Sequence, residues 1–441
     1  MSASAPHAAE VQGTEVQGTE VFDAMESAIR TYCRRFPALF TTARGHRLWD
    51  ADGREYTDFL SGAGVLNYGH NHPRIKRAVL DYIENDGVVH SLDLHTSAKA
   101  TFLERFRDVV LAPRGLDYRV QFTGPTGTNA VEAALKVARR VTGRTGVVAF
   151  TGGFHGLSLG ALALSATSFK RAASGVPLDH VTRMPYDGYF GEGVDTVAYL
   201  RAMLEDPGSG VDQPAAIVLE TVQGEGGLNA AGTDWLRRLA RLAAERDIVL
   251  VVDDIQAGCG RAGRFFSFEE AGITPDIVCL SKSLSGYGLP MALTLVRPDL
   301  DRLGPGEHSG TFRGHSLAFS AAATALELWA DPEFEPRLSR TASRLEGRLT
   351  ALAERYQAQG CEVRGRGMLR GLAFTDRGLA SRVSSHAFAR GLLVETSGAL
   401  SQVLKVMPPI VIDDDALDGG LDLLDAAIGQ AVQQTVQEET K

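Results

Sequence analysis

Five short runs constrain this chain more than anything else in it. "RVQF" (119–122), "TGVVAF" (145–150), "AAIVLE" (215–220), "IVLVVDD" (248–254) and "DIVCLS" (276–281) read as strands, and the last three are short, β-branched and apolar nearly throughout. A strand with one wet face alternates apolar and polar residues. A strand covered on both faces does not, and such runs are what a parallel sheet between helical layers requires. Helical spacing fills the gaps: "NAVEAALKVARRV" (129–141) follows the first run, and "DWLRRLARLAAERD" (234–247) lies between the third and fourth. The alternation predicts a doubly wound α/β domain. After about residue 315 it gives way to long helical stretches (316–330, 336–356) and a mixed C-terminal part. We therefore expect a large domain over 75–314 and a smaller α+β domain built from both chain ends, 21–74 and 315–441. "VFDAMESAIRTYCRRFP" reads as helical up to Pro37. The tandem "VQGTEVQGTE" (11–20) is too short for a solenoid and too polar for a core, so residues 1–20 read as a disordered tail or a partner-binding segment.

Composition narrows the function classes. A net charge of −9 without a basic run argues against nucleic acid or an anionic membrane as the main partner. The longest aliphatic run, Ile248 to Val252, is far short of the ~20 residues a membrane-spanning helix needs. "MSASAPHAAE" has neither the basic start nor the apolar stretch of a secretory signal. Four cysteines without C-x-x-C spacing fit reduced thiols, and a cytoplasmic location is expected.

In open parallel sheets, ligands bind at the carboxyl ends of the strands. After "RVQF" comes "TGPTGTNAVEAALK", a glycine-rich loop opening a helix, which suits either a phosphate or a simple helix cap. After "GVVAF", "TGGFHG" places Phe154 and His155. "IVLVVDD" ends in Asp253 and Asp254, acids that are expensive to bury unless paired, though strand-end acids also cap helices. "DIVCLS" delivers Lys282. A phosphate site, an aromatic face, a buried carboxylate and a lysine together match the needs of pyridoxal phosphate. Its aldehyde forms a Schiff base with lysine, and its ring is an electron sink when a carboxylate holds the pyridine nitrogen protonated. A desolvated lysine loses its proton more readily and serves as nucleophile and base. "GCGRAG" (258–263) imitates a dinucleotide fingerprint, but no helix opens directly after it and the next strand ends in lysine, not acid. His70 and His72 lack the further ligands of a metal site and read as turn or cap residues.

The motifs "LNYGHNHP", "TGTNAVEAALK", "FHG", "ETVQGEGG", "VVDDIQAGCGRAG", "LSKSLSGYGLPMAL" and "GTFRGHSLA" resemble those of class III pyridoxal-phosphate aminotransferases of fold type I, over roughly residues 21–430. "FPALF", "GVPLDHVTRMPYDGYFG" and the stretch around Lys282 are similar to the members that act on diaminobutyrate. The resemblance implies transfer of an amino group between L-2,4-diaminobutyrate and 2-oxoglutarate, giving L-aspartate 4-semialdehyde and glutamate, within ectoine biosynthesis. Another ω-aminotransferase of 4-aminobutyrate, ornithine or putrescine type is the alternative, as is the same reaction in an antibiotic or siderophore pathway. Carried over by motif, Lys282 is the Schiff-base lysine and proton shuttle, and Asp253 pairs with the pyridinium. Gln256 meets the phenolic oxygen, Phe154 stacks on the ring beside His155, and Gly127 and Thr128 hold the phosphate. Thr311 would reach the phosphate of a neighbouring subunit, making a homodimer the minimum unit.

Two departures matter. Ornithine-type relatives manage a carboxylate beside the reacting carbon with a Glu–Arg pair. Here Glu225 matches the glutamate, but Lys405 in "LKVMPP" stands at the arginine position, so either a Glu225–Lys405 switch or a plain surface lysine is implied. Leu157 stands where such relatives commonly carry arginine, leaving Lys170 and Arg171 as substitute cations or as solvated charges. Glu220 is a further candidate for the substrate pocket.

Overall fold

The structure is a computed structural model and describes residues 18–191 and 193–439. The five runs are strands of one seven-stranded sheet. Its order is Arg119–Phe122, Leu293–Val296, Ile277–Leu280, Val249–Asp253, Ala216–Leu219, Val147–Phe150 and Val181–Met184. Pairing is parallel from Ile277–Leu280 through Val181–Met184, and Leu293–Val296 runs antiparallel to both its neighbours. The central strands are buried at every position. Helix Gly127–Thr142 packs an alanine-rich stripe on one face of this sheet, and Thr233–Glu245 packs Trp235, Leu236, Leu239 and Leu242 on the other. The expected doubly wound arrangement is therefore present, with one antiparallel strand inserted.

Both chain ends contribute to smaller sheets. Phe40–Arg44, Arg47–Asp50 and Glu55–Asp58 form an antiparallel meander, and Leu392–Leu393 joins it in parallel beside Glu55–Asp58. Glu362–Arg366, Leu369–Ala373, Val403–Val406 and Glu395–Ser397 form a second four-stranded sheet. Helices Phe334–Arg355, Leu379–Ala389 and Asp414–Glu439 cover these strands.

One expectation fails at the N-terminus. The stretch read as one helix is two short ones, Glu20–Met25 and Tyr32–Arg35, with no buried residue in either. An amphipathic segment this short needs a surface to pack against, and Val21, Met25 and Ile29 find none among the described residues. Of the tail expected over 1–20, residues 1–17 lie outside the described residues, and the first helix already begins at Glu20.

Candidate active site

The strand ends converge as the topology demands. Asp253 closes strand Val249–Asp253 and is almost fully buried. Its Oδ2 lies 2.8 Å from His155 Nδ1, and its Oδ1 accepts the Ile255 N–H at 3.2 Å. Burial alone would make the His155 imidazole harder to protonate; the hydrogen bond and charge of Asp253 outweigh this and raise its pKa. The His155 ring and the Ile255 N–H thus fix the orientation of the Asp253 carboxylate at the strand end.

Glu220 follows strand Ala216–Leu219. Its Oε2 accepts the Phe154 N–H at 2.9 Å and its Oε1 the Gly224 N–H at 3.2 Å. It therefore fixes the backbone under Phe154 and the start of the "GEGG" loop. Burial, with nearby Asp253 adding to it and His155 opposing, pushes its carboxyl up to about 7. Asp254 faces away from this cluster, accepts the Ser267 N–H at 3.1 Å, and is likewise pushed up to about 7 by burial.

Helix Gly127–Thr142 begins with Thr126, whose N–H donates to Asn129 Oδ1 at 3.3 Å. The helix cap is real. The N–H groups of Gly127 and Thr128 nevertheless have no acceptor among the described residues, which is the anion-binding arrangement of a helix start. A side chain at 127 would press within 2.9 Å of Ile255, so glycine keeps the backbone accessible there. Thr128 Oγ1 lies 2.5 Å from Ser158 Oγ, which donates to Glu132 at 2.8 Å.

Lys282 opens a single helical turn after strand Ile277–Leu280, at a left-handed φ of +50°. Burial lowers its pKa, against opposing contributions from Glu225 and Asp253. Gln256 donates from Nε2 to Ala63 O at 3.0 Å and to Glu225 at 3.3 Å, while its Oε1 is buried without a partner. Lys405 donates to Glu225 Oε1 at 2.7 Å, and Glu395 Oε1 lies 2.8 Å from the same ammonium. Lys405 is fully buried, not a surface residue. Burial would raise the Glu225 carboxyl; Lys405 and then Lys282 overcome it and hold it down at about 2. Of the two substitute cations, Lys170 is the one that meets the site, its Nζ 4.1 Å from the centre of the Phe154 ring. Leu157 is exposed. Thr311 is exposed on the turn Thr311–Arg313 and shares no hydrogen bond with this group.

The donor set fits pyridoxal phosphate. Free N–H groups at Gly127 and Thr128 suit a phosphate, the buried Asp253 carboxylate suits a protonated ring nitrogen, the unpartnered Gln256 oxygen suits a ring substituent, and Lys282 suits an aldehyde. The two decoys find structural employment. Arg261 of "GCGRAG" is fully buried and donates to Asn67 Oδ1, Met368 O and Pro408 O, tying the large domain to the C-terminal part. His70 Nε2 lies 2.9 Å from Asp58 Oδ2, and His72 sits at the start of helix Pro73–Glu84. Sequence reasoning missed Glu395 and Arg261. Glu395 had a readable signal, an acid inside the apolar run "LLVETS", the same signal that singled out Asp253.

The family description "Aminotransferase class-III" matches residues 30–428. A diaminobutyrate–2-oxoglutarate transaminase of Halalkalibacterium halodurans is 52% identical over 413 residues, covering 94% of this chain and 97% of its own length. One from Nocardia farcinica is 54% identical over 409 residues, covering 92% and 93%. Among solved structures, the ornithine aminotransferase of Toxoplasma gondii, described with pyridoxal phosphate at its active site, superposes with a TM-score of 0.82 at 27% identity, over 94% of each chain. The N-acetylornithine aminotransferase of Stenotrophomonas maltophilia gives 0.73 at 25% identity, over 94% of this chain and all of its own. Fold, site geometry and relatives agree: this chain belongs to the class III aminotransferases.

Proposed function

We propose that this aminotransferase interconverts L-2,4-diaminobutyrate plus 2-oxoglutarate with L-aspartate 4-semialdehyde plus L-glutamate, in the cytoplasm and as a homodimer, within ectoine biosynthesis. The observation that carries the reading of two unlike amino donors is the pair of Glu225 with the fully buried Lys405, and the relatives point to diaminobutyrate as one of the two. The two half-reactions make opposite demands. The terminal amine of diaminobutyrate reacts at a carbon without a neighbouring carboxylate, whereas glutamate reacts at the carbon that bears one. A lysine neutralised by a glutamate suits the first substrate, and a lysine released from it suits the second. Relatives of similar length carry the same activity in their names.

Pyridoxal phosphate supplies the carbonyl that condenses with amines and the ring that accepts the electrons of a broken C–H bond. The protein's side chains do the rest. Lys282 Nζ, its ammonium disfavoured by burial, gives up its proton and then carries one to and from the reacting carbon. Asp253, held by His155 and the Ile255 N–H, would hold positive charge at the ring nitrogen. The unpartnered Gly127 and Thr128 N–H groups would hold the phosphate, Phe154 would cover the ring, and Gln256 would meet its phenolic oxygen. Thr311, exposed in this chain, would complete the phosphate site of a second copy.

The test is one incubation of purified protein with pyridoxal phosphate, L-2,4-diaminobutyrate and 2-oxoglutarate. Equimolar glutamate and aspartate semialdehyde are expected over time. Turnover of 4-aminobutyrate or ornithine in place of diaminobutyrate would overturn the substrate reading and leave the family assignment intact.

A further inference from the structure

Lys405 does not have one carboxylate partner but two, and they are mounted differently. Glu395 stands on strand Glu395–Ser397, directly opposite Lys405 in antiparallel register with strand Val403–Val406. It is 2% exposed. Its strand is tied further by Ser384 Oγ donating to Val394 O at 2.7 Å and by Arg35 donating to Thr396 Oγ1 at 3.1 Å. Glu225 stands on the loop "GEGG", flanked by glycines that put no side chain beside it, and its own side chain is 26% exposed. Its backbone is pinned by the Gly398 N–H at 3.0 Å, so the freedom belongs to the side chain. The Glu225 contact is an aligned hydrogen bond, while Glu395 Oε1 meets the ammonium as an ion pair without that alignment.

Two carboxylates compete for the one ammonium that both contact, and Lys282 acts on Glu225 without an ion pair. A third carboxylate, that of a substrate, docks on Lys405 only if one of the two withdraws. The one free to withdraw is Glu225. We propose that Glu395 is the fixed counter-ion of Lys405, a positioning residue that keeps the ammonium charged and aimed while Glu225 exchanges with substrate. The proposal rests on the reading that Lys405 receives the carboxylate next to the reacting carbon. It explains how that exchange proceeds without a bare ammonium forming in a buried site, and it weakens the hold on Glu225 by making the two glutamates share one cation. Without Glu395, Lys405 would cling to Glu225 as its only partner, and the arm would lock shut.

The experiment measures kcat and both KM values for diaminobutyrate with 2-oxoglutarate in wild type, Glu395→Gln and Glu395→Asp, with melting temperatures alongside. For Glu395→Gln we expect the KM for 2-oxoglutarate to rise about tenfold while that for diaminobutyrate stays within about twofold. Glu395→Asp keeps the charge but not the reach and is expected in between, at about threefold, again confined to 2-oxoglutarate. It carries the test alone if the amide variant does not fold. Equal changes in both KM values, or a fall in kcat and melting temperature with no split, would reduce Glu395 to a structural residue and overturn the proposal. No turnover of this pair by the wild type would instead sink the substrate reading, and the proposal with it.

Discussion

Two lysines sit within this site, and the protein treats them in opposite ways. Lys282 is mounted at the end of the large sheet, and burial lowers its pKa because Glu225 and Asp253 do not fully compensate. Lys405 is buried more completely in the sheet from the C-terminal part, yet its pKa is raised, because Glu225 and Glu395 both lie within 2.8 Å of its ammonium and override the same penalty. Depth of burial therefore does not decide whether a lysine becomes a base or stays a cation. The number and distance of its counter-ions decide it. On the proposed mechanism, one region makes a reagent and the other a permanent charge.

The sharpest way to break this contrast is to remove the reagent. Lys282→Ala is expected to lower kcat by about four orders of magnitude or more, while the protein melts no lower than wild type, because no ion pair is lost. A marked fall in melting temperature would show that Lys282 is also structural. Lys405→Met should behave the other way round. It leaves Glu225 and Glu395 without the ammonium they share, at a cost of about 3 kcal/mol or more, and it raises the KM for 2-oxoglutarate by about one to two orders of magnitude with less effect on diaminobutyrate. Thermal melts and two-substrate kinetics read both effects. Were the KM for diaminobutyrate to rise as much, Lys405 would not discriminate between the half-reactions.

The smallest expected effect concerns a buried carboxyl that forms no ion pair among the described residues. Asp254 is raised from 3.8 to about 7 by burial, so between those values the folded protein holds a proton the unfolded chain has released. Wild-type stability therefore falls as pH rises through that window. Asp254→Asn escapes this penalty and can still accept the Ser267 N–H. Its melting temperature should exceed that of wild type by roughly 1–3 °C at pH 8 and by less at pH 5. A difference that does not grow with pH would show that burial is not what holds this carboxyl protonated.

Much of this was legible because it follows from chain geometry. Uniform apolar runs announced the buried parallel strands, and the rule that ligands gather at strand ends then picked out Asp253 and Lys282 without coordinates. Glu225 and Lys405, 180 residues apart, were paired only through the family resemblance, and the structure brings them into contact. What escaped has physical reasons. The strand Leu293–Val296 is as apolar as its neighbours, and no periodicity distinguishes an antiparallel insertion from a parallel one. Arg261 is a buried cation satisfied chiefly by backbone carbonyls and one amide, partners that leave no pattern of charges in the sequence. The helix broken between Met25 and Tyr32 had the right spacing but no surface to bury it.

The left-handed backbone at Lys282 has a practical consequence. A side chain at φ +50° is held where glycine or asparagine would rest more easily, at a cost of the order of 1 kcal/mol. Any engineering effort that ranks substitutions by stability alone would nominate this position for replacement and, with Lys282 in its proposed role, would gain its increment by discarding the reaction. Thermostabilising this scaffold therefore requires that residue 282 be held out of the search, together with the neighbours that keep its backbone bent.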